Sequence, residues 1–250
     1  MELKQAMAVF GVLAFLGTFA VVVFSGTAIL ALRLIGEERA SRWTGHASAW
    51  LFGGRGLTRK IAVIPMVLLA GYATVLLAAS VASSERALPP GEEKYFCEID
   101  CHLAYSVATV EKTKTLGSAA DQQAASGTFY IVAVRTRFDE RTISPHRGDA
   151  PLVPSPRIVT VEDPAGHSYS ISQEGQQALQ NSLGSQWTPL TQPLRPGDWY
   201  STQLVFDLPS NARGLKLLIA SPAEPEWLGR IIIGEEASIF HKKVYLQIPD

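Results

Sequence analysis

Cysteine is scarce in this 250-residue chain, and the patterns that mark most enzymes are missing. The chain has two cysteines, no glycine-rich phosphate loop, and no spacing of serine, histidine and aspartate typical of a catalytic set. Carboxylates are plentiful, but no spacing among them selects a catalytic pair. We therefore predict that the protein is not an enzyme and has no cofactor.

Charge is absent from two long stretches. Residues 6–32 and 61–82 contain no charged side chain. A transmembrane helix needs about 20 apolar residues, whereas buried helices of soluble proteins seldom have more than about 14 in a row. The first stretch also lacks the basic leader and short apolar core of a cleavable signal peptide. The sequence therefore predicts two transmembrane helices.

Positive charge is concentrated between these stretches. The basic residues there are Arg33, Arg39, Arg42, Arg55, Arg59 and Lys60, against the acidic Glu37 and Glu38. Short loops rich in lysine and arginine stay in the cytoplasm, so both termini are expected outside. We predict a two-span protein of the cell membrane, in which residues 1–84 are a two-helix anchor with a cytoplasmic loop.

The chain after Ser83 has no excess of positive charge. It contains 15 basic and 20 acidic residues. Phosphates repel such a surface, so nucleic acid is not expected as a partner. The expected partners are the lipid bilayer and other membrane or envelope proteins.

Helical periodicity is nearly absent after the second stretch. Residues 85–93, which include Pro89-Pro90-Gly91, are predicted to be a linker. Residues 94–250 show seven or eight short strands separated by turns, including "GRIIIG" at 229–234, with a polar loop at Ser118–Gly127. Only Ser172–Leu183 has a helical pattern, with Ser172 as its N-cap and Ala178, Leu179 and Leu183 as its apolar edge. The pattern predicts an extracytoplasmic antiparallel sandwich.

Four segments, in this order, carry a resemblance to a known family. They are "AYSVATVEKT", "GTFYIVAVRTRF", "VEDPAGHSYSI" and "LRPGDWYSTQLVFDLP". From about Tyr105 to Ile219 the chain resembles the immunoglobulin-like sandwich of mycobacterial immunoprotective extracellular antigens and related bacterial lipoprotein domains. The resemblance implies a fold and a compartment, but no catalytic residues. The expected architecture is a membrane α-helical hairpin followed by an all-β immunoglobulin-like antiparallel sandwich.

The stretch "EKYFCEIDCHLAYSV" contains both cysteines. Its alternation predicts one strand, with Leu103, Tyr105 and Val107 facing the core and His102 on the less buried face. Four residues along a strand span about 13 Å, and a disulfide needs Cα atoms within about 7 Å. A Cys97–Cys101 disulfide would therefore require a bulge or a turn at Glu98–Asp100. The alternatives are two buried thiols, or a metal site of Cys97, Cys101 and His102.

Copper is the metal that the overall topology suggests. Two membrane helices before an external β-sandwich are similar to subunit II of haem-copper oxidases. The histidine and methionine positions of that family's two-copper motif are occupied here by Tyr105 and Ala108. Haem is disfavoured, because its motif has two residues between the cysteines and this chain has three.

The second stretch has a row of small residues with a four-residue period, made up of Ala70, Thr74, Ala78 and Ala82. Such a row lets helices approach closely and predicts a helix–helix interface. Together the patterns predict a membrane-anchored, extracytoplasmic binding or accessory subunit that is not catalytic. The alternative is a redox or copper protein that uses the cysteine stretch.

Overall fold

The computed structural model describes residues 13–27, 57–98, 101–118, 122–142, 146–222, 226–233 and 236–249. The chain divides into two compact units. One contains Met1–Ser84 and Ala223–Lys242, and the other contains Glu85–Pro222 and Lys243–Asp250. The helical unit thus includes a 20-residue segment, Ala223–Lys242, that the sequence did not separate from the sandwich. We call this segment the insertion.

In its described residues, the helical unit contains two apolar helices and a short one. Helix α1 is Leu13–Thr27, and helix α2 is Leu57–Ala82. Within α2, Pro65–Ala82 has a mean hydropathy of 1.9 and is long and apolar enough to cross a membrane. The described residues of α1 are fewer than a span needs, and the rest of the first predicted span lies outside the described residues.

The prediction of a strand at 229–234 is wrong. The first described residues of the insertion form a helix, Glu226–Ile231, which we call α4. Helix α3 belongs to the other unit. The Tyr72 hydroxyl of α2 donates a hydrogen bond of 2.5 Å to the Ile231 carbonyl. Three consecutive isoleucines have no period of two, so they indicate burial without indicating a strand.

The described residues of the second unit form nine strands, in two sheets. Sheet A has the order β1-β9-β8-β5-β6, and sheet B has the order β2-β3-β4-β7. The strands of sheet A are β1 Arg86–Leu88, β5 Ile158–Glu162, β6 Ser168–Ser170, β8 Lys216–Ala220 and β9 Val244–Gln247. Those of sheet B are β2 Lys94–Glu98, β3 Cys101–Leu116, β4 Gln123–Phe138 and β7 Trp199–Leu208. Short 3-10 turns occur at Glu140–Thr142 and Gly184–Gln186.

The two sheets bury a common apolar core, so the predicted β-sandwich is confirmed. Alternate residues of the long hairpin β3–β4 fill it, as the period of two predicts. The buried ones include Leu103, Tyr105, Val107, Tyr130, Val132, Val134 and Phe138. A bulge between Val107 and Thr109 changes the register, so Val110 contacts the core after it.

Two predicted connections contain strands instead. Within the predicted linker, β1 pairs with β9 in parallel, an exception to the antiparallel arrangement. Within the predicted polar loop, Gln123–Gly127 begins β4. The Asp207 carboxylate accepts hydrogen bonds from the Ser126 and Gly127 amides at 2.7 and 2.9 Å, which holds this part of the strand. A Cβ on Gly127 would lie 2.1 Å from the Leu208 carbonyl oxygen, so only glycine fits.

A buried lysine connects the two sheets. Lys94 of β2 donates hydrogen bonds to the Ile219 carbonyl of β8 at 2.7 Å and to the Val244 carbonyl of β9 at 2.8 Å. The β8–β9 pairing covers Lys216–Gln247 and Leu217–Leu246. Continued by two residues, its register would place Ile219 opposite Val244. The ammonium group of sheet B therefore bridges two strands of sheet A beyond the end of their ladder.

The predicted helix is confirmed as α3, Gln173–Leu183. The Ser172 hydroxyl caps it by accepting a hydrogen bond of 3.2 Å from the Gly175 amide. The helix covers part of the outer face of sheet B, where Leu179 contacts Phe129 and Val205 in a second apolar cluster. A Cβ on Gly175 would lie 2.7 Å from Val205, so glycine permits this close approach.

The outer edge of sheet B is closed by one side chain of α3. The Gln176 amide donates to the Gln203 carbonyl at 3.0 Å and accepts from the Val205 amide at 2.9 Å. The Val205 carbonyl accepts from the Ser172 amide at 2.8 Å. Gln176 thus takes the place of a neighbouring strand along β7, which protects an edge that could otherwise pair with another chain.

We expect Gln176→Ala to lower the free energy of unfolding by about 1–3 kcal/mol, because it leaves a donor and an acceptor of β7 without partners. Urea unfolding of the full chain in detergent micelles, followed by tryptophan fluorescence, measures this. The matched control is Gln177→Ala, since Gln177 is exposed and bonds only to Asn181 among the contacts described. Equal losses for the two variants would contradict edge closure by Gln176.

Candidate functional site

Helix α3 covers only part of the outer face of sheet B. On the remaining part, one row across the four strands contains Tyr95, Ala104, Arg137 and Trp199. The next row contains Ser106, Arg135 and Ser201. We call the long side chains of these rows, Tyr95, Arg135, Arg137 and Trp199, the open face. Ala104 is buried beneath them, so side chains, with no helix above them, cover this part of the sheet.

A tryptophan stacked on an arginine is the most exposed side chain of the open face. The Arg135 guanidinium lies 4.4 Å from the centre of the Trp199 ring, as in a cation–π contact. Trp199 is 58% exposed. The Arg135 Nε is buried and has no hydrogen-bond partner in the described part of the chain. The pair therefore presents a flat, exposed apolar ring stacked on a half-buried cation.

Arg137 is held rigidly beside this pair. Its guanidinium donates two hydrogen bonds to the Glu93 carboxylate, at 2.7 and 2.6 Å, and the Tyr95 hydroxyl donates to the same carboxylate at 2.7 Å. The hydrogen bond from Arg137 is the main cause of a lowered pKa for Glu93. Burial, and then Glu93, raise the pKa of Tyr95 to about 12. All three groups therefore keep fixed charge states near neutral pH.

Asp139 anchors the end of β4. Its carboxylate is fully buried and accepts hydrogen bonds of 3.1 Å from the Arg141 backbone amide and guanidinium, with Arg137 at 3.4 Å. Burial alone would raise the pKa of Asp139, but the hydrogen bonds from Arg141 and Arg137 together lower it to about 2. The ionised carboxylate fixes the orientation of both arginines.

The two cysteines lie in a hairpin, so the prediction of one continuous strand through them is wrong. Strand β2 ends at Glu98 and β3 begins at Cys101, and the register pairs Glu98 with Cys101 and Cys97 with His102. The physical reason is that a hairpin with a two-residue connection preserves alternation on each side, so the pattern alone does not reveal the reversal.

The hairpin changes which residues share a face. Opposite residues in an antiparallel pair lie on the same face, so Cys97 shares a face with His102, and Cys101 shares the other with Glu98. By strand geometry the Cα atoms of the two cysteines are about 6 Å apart, within the range that a disulfide requires. The cysteine side chains lie outside the described part, so the disulfide stays a prediction.

His102 is more buried than predicted. It is 8% exposed, and Ser106 on the same face is also buried. Leu103, Tyr105 and Val107 are buried on the core face as predicted. The prediction of a solvated outer face neglected the long side chains of neighbouring strands. Among described residues no group of three potential ligands could hold a metal ion, and the set of Cys97, Cys101 and His102 stays a prediction.

The small-residue row of α2 lies on an exposed face. Ala70, Thr74, Ala78 and Ala82 are all exposed, whereas Leu76 and Ser80 are buried. The buried face therefore differs from the predicted one by part of a turn. A helix–helix interface through the small-residue row stays a prediction.

A groove of about 550 Å³ lies beside α3. Its lining includes four glutamines of the helix, Gln173, Gln176, Gln177 and Gln180, together with Val159, Ser170 and Ile171. None of these side chains titrates near neutral pH, and Gln176 is committed to the β7 edge. The groove therefore offers amide contacts and no acid–base chemistry.

No family model and no curated protein matches this chain. Among solved structures, a conserved hypothetical protein from Bacillus anthracis is 13% identical, with a TM-score of 0.37 over 50% of this chain and 86% of that one. The secreted protein MPT63 from Mycobacterium tuberculosis is 10% identical, with a TM-score of 0.36 over 56% and 98%. The yjhA protein from Bacillus subtilis is 11% identical, with a TM-score of 0.35 over 65% and 99%.

Asp139 should stabilise the fold in a pH-dependent way. Its pKa is about 2 in the folded protein against an ordinary 3.8, so its contribution is present above pH 3.8 and is lost as the pH falls through 2. We expect Asp139→Asn to cost about 1–2 kcal/mol of unfolding free energy at neutral pH, and much less at about pH 2. Urea unfolding across this range measures the difference.

The matched control is Glu140→Gln, at the exposed neighbouring position. It should leave stability within about 0.5 kcal/mol of the wild type. A loss for Asp139→Asn that does not change with pH would contradict a role for the ionised carboxylate.

Proposed function

We propose that this protein is a membrane-anchored, extracytoplasmic binding or accessory subunit that binds a membrane or envelope protein through its open face. One observation carries the proposal: the exposed Trp199 ring is stacked with Arg135 on the part of sheet B that α3 leaves uncovered. Tryptophan, tyrosine and arginine are the residues most enriched at the energetic centres of protein interfaces.

The open face supports binding to a protein rather than catalysis. Arg137 and Tyr95 are fixed by Glu93, so they lose little conformational entropy on binding. The half-buried Arg135 guanidinium lies beside an exposed apolar ring. A partner that places a carboxylate or carbonyl against Arg135 and an apolar side chain against Trp199 would complement both groups.

The location is part of the same proposal. The apolar length of α2 supports anchoring in a membrane, and the arginine-rich loop before it supports an extracytoplasmic sandwich. We propose that α1 belongs to a second span, and that the sandwich is of the immunoglobulin-like kind found in mycobacterial extracellular antigens.

Site-specific crosslinking tests the binding face. With the photoreactive benzoylphenylalanine at position 199, cells of the native host should give a discrete crosslinked adduct of the full chain after irradiation. The same group at the exposed Val153, which lies outside the open face, should not. Adding Arg135→Ala should reduce the position-199 adduct about tenfold, as expected for an interface centre. Equal adducts at both positions would overturn the proposal.

A second candidate function, copper or zinc binding, is favoured by the placement of Cys97 directly opposite His102. Thiolate and imidazole together suit these metals. If the site exists, the full chain loaded with zinc and desalted should retain the metal. Cys97→Ser and His102→Asn should release it, and Cys101→Ser, on the other face, should keep it. Wild-type protein that retains no zinc or copper would exclude this function.

A further inference from the structure

Strand β7 forms one edge of sheet B, and its backbone groups divide into two sets. Alternate residues of an antiparallel strand direct their amide and carbonyl groups toward opposite sides. The Phe138 amide donates to the Asp198 carbonyl at 3.0 Å, and the pairing of β4 with β7 continues from there without a shift of register. The even-numbered residues of β7 therefore bond to β4, and the odd-numbered residues direct their backbone groups outward.

Helix α3 closes only the second half of this edge. The outward groups of β7 beside the helix have partners, because Gln176 and the Ser172 amide bond to them. The outward groups of Trp199 and Ser201, in contrast, bond to no other residue in the described part of the chain. Both residues are exposed. We call the outward backbone groups of Trp199 and Ser201, together with the Gln203 amide, the unpaired edge.

The unpaired edge lacks the features that keep most sheet edges from pairing. Such features are proline, charged side chains, bulges and very short strands. The sequence "WYSTQ" at 199–203 contains neither proline nor a charged residue. Strand β7 has 10 residues, and its register with β4 contains no bulge. This edge is therefore suited to an extended segment that binds through main-chain hydrogen bonds.

An arginine beside the unpaired edge indicates the charge of that segment. Arg135 lies opposite Ser201 on the outer face, and its guanidinium extends toward β7, where it lies 4.4 Å from the centre of the Trp199 ring. No carboxylate in the described part of the chain forms an ion pair with Arg135. Since Ser201 is small, an acidic side chain opposite it on an added strand can extend over it to the guanidinium.

We propose that an extended segment of the partner protein binds along the unpaired edge as a fifth strand of sheet B, with an aspartate or glutamate opposite Ser201. The inference rests on the proposed function, which is binding of a protein at the open face, and specifies the form in which the partner binds. The side chain two positions from the acid lies on the same face, so it packs against the Trp199 ring. Main-chain bonds supply affinity, and the acid and its apolar neighbour supply specificity.

Removal of one outward amide tests the inference. The full chain carries benzoylphenylalanine at position 199, and Ser201→Pro removes an amide that makes no bond to β4. Proline is tolerated on an edge strand where the missing amide faces away from the sheet. We expect the crosslinked adduct from cells of the native host to fall about tenfold. The matched variant Ser201→Ala keeps the amide, so its adduct should exceed that of Ser201→Pro by the same factor.

The positions of the crosslinks are a second measurement, which needs no proline. Benzoylphenylalanine is placed at position 199 in one chain and at position 201 in another, and mass spectrometry of the digested adducts locates each crosslinked residue of the partner. Neighbouring strands advance together at about 3.3 Å per residue. The two crosslinks should therefore fall about two residues apart on one segment, beside an aspartate or glutamate. This measurement decides the question if Ser201→Pro fails to fold in urea unfolding.

The outcomes separate this inference from the proposed function. A position-199 adduct that a folded Ser201→Pro chain forms undiminished overturns strand addition and keeps binding at the open face. Crosslinks about three or four residues apart indicate a bound helix and likewise overturn strand addition. An adduct of two copies of this chain assigns the edge to self-association and overturns a partner strand. The absence of any adduct at position 199 overturns the proposed function, and strand addition with it.

Discussion

One buried ammonium group fixes the relation between the two sheets. Lys94 carries its charge from sheet B into sheet A, where the Ile219 and Val244 carbonyls accept its hydrogen bonds and the Phe96 ring lies 5.2 Å away. A buried charge is tolerable only when such groups surround it. The two carbonyls belong to strands whose ladder has already ended, so the lysine joins β8 to β9 where their own pairing stops.

The outer face of sheet B shows two ways of covering a sheet. Where α3 lies, glycine and small apolar contacts bring helix and sheet together, and the Gln176 amide closes the edge. Elsewhere, ion-paired and stacked side chains cover small residues such as Ala104. This cover leaves Trp199 accessible, whereas the Arg135 Nε is buried without a hydrogen-bond partner in the described part of the chain.

Sequence patterns predicted the structure correctly where residues close together in the chain determine it. The cap at Ser172 and the apolar edge of α3 predicted that helix, and alternation predicted the core faces of β3 and β4. They failed where contacts with residues distant in the sequence determine the structure. The reversal between Cys97 and Cys101 leaves alternation intact, and the triple isoleucine packs with a helix about 160 residues away. The outward Arg135 and Arg137 of β4 were visible in the alternation, but their partners, Trp199 and Glu93, were not.

The parallel pairing of β1 with β9 has a consequence for biosynthesis. Arg86 of β1 leaves the ribosome early, but its partner Val244 follows 158 positions later. The hairpins of sheet B join neighbouring segments and need no such delay. Sheet A is therefore completed last, after the insertion has been synthesised, and β1 remains unpaired until β9 has been made. A three-residue strand is short enough to pass through that interval without recruiting a foreign strand.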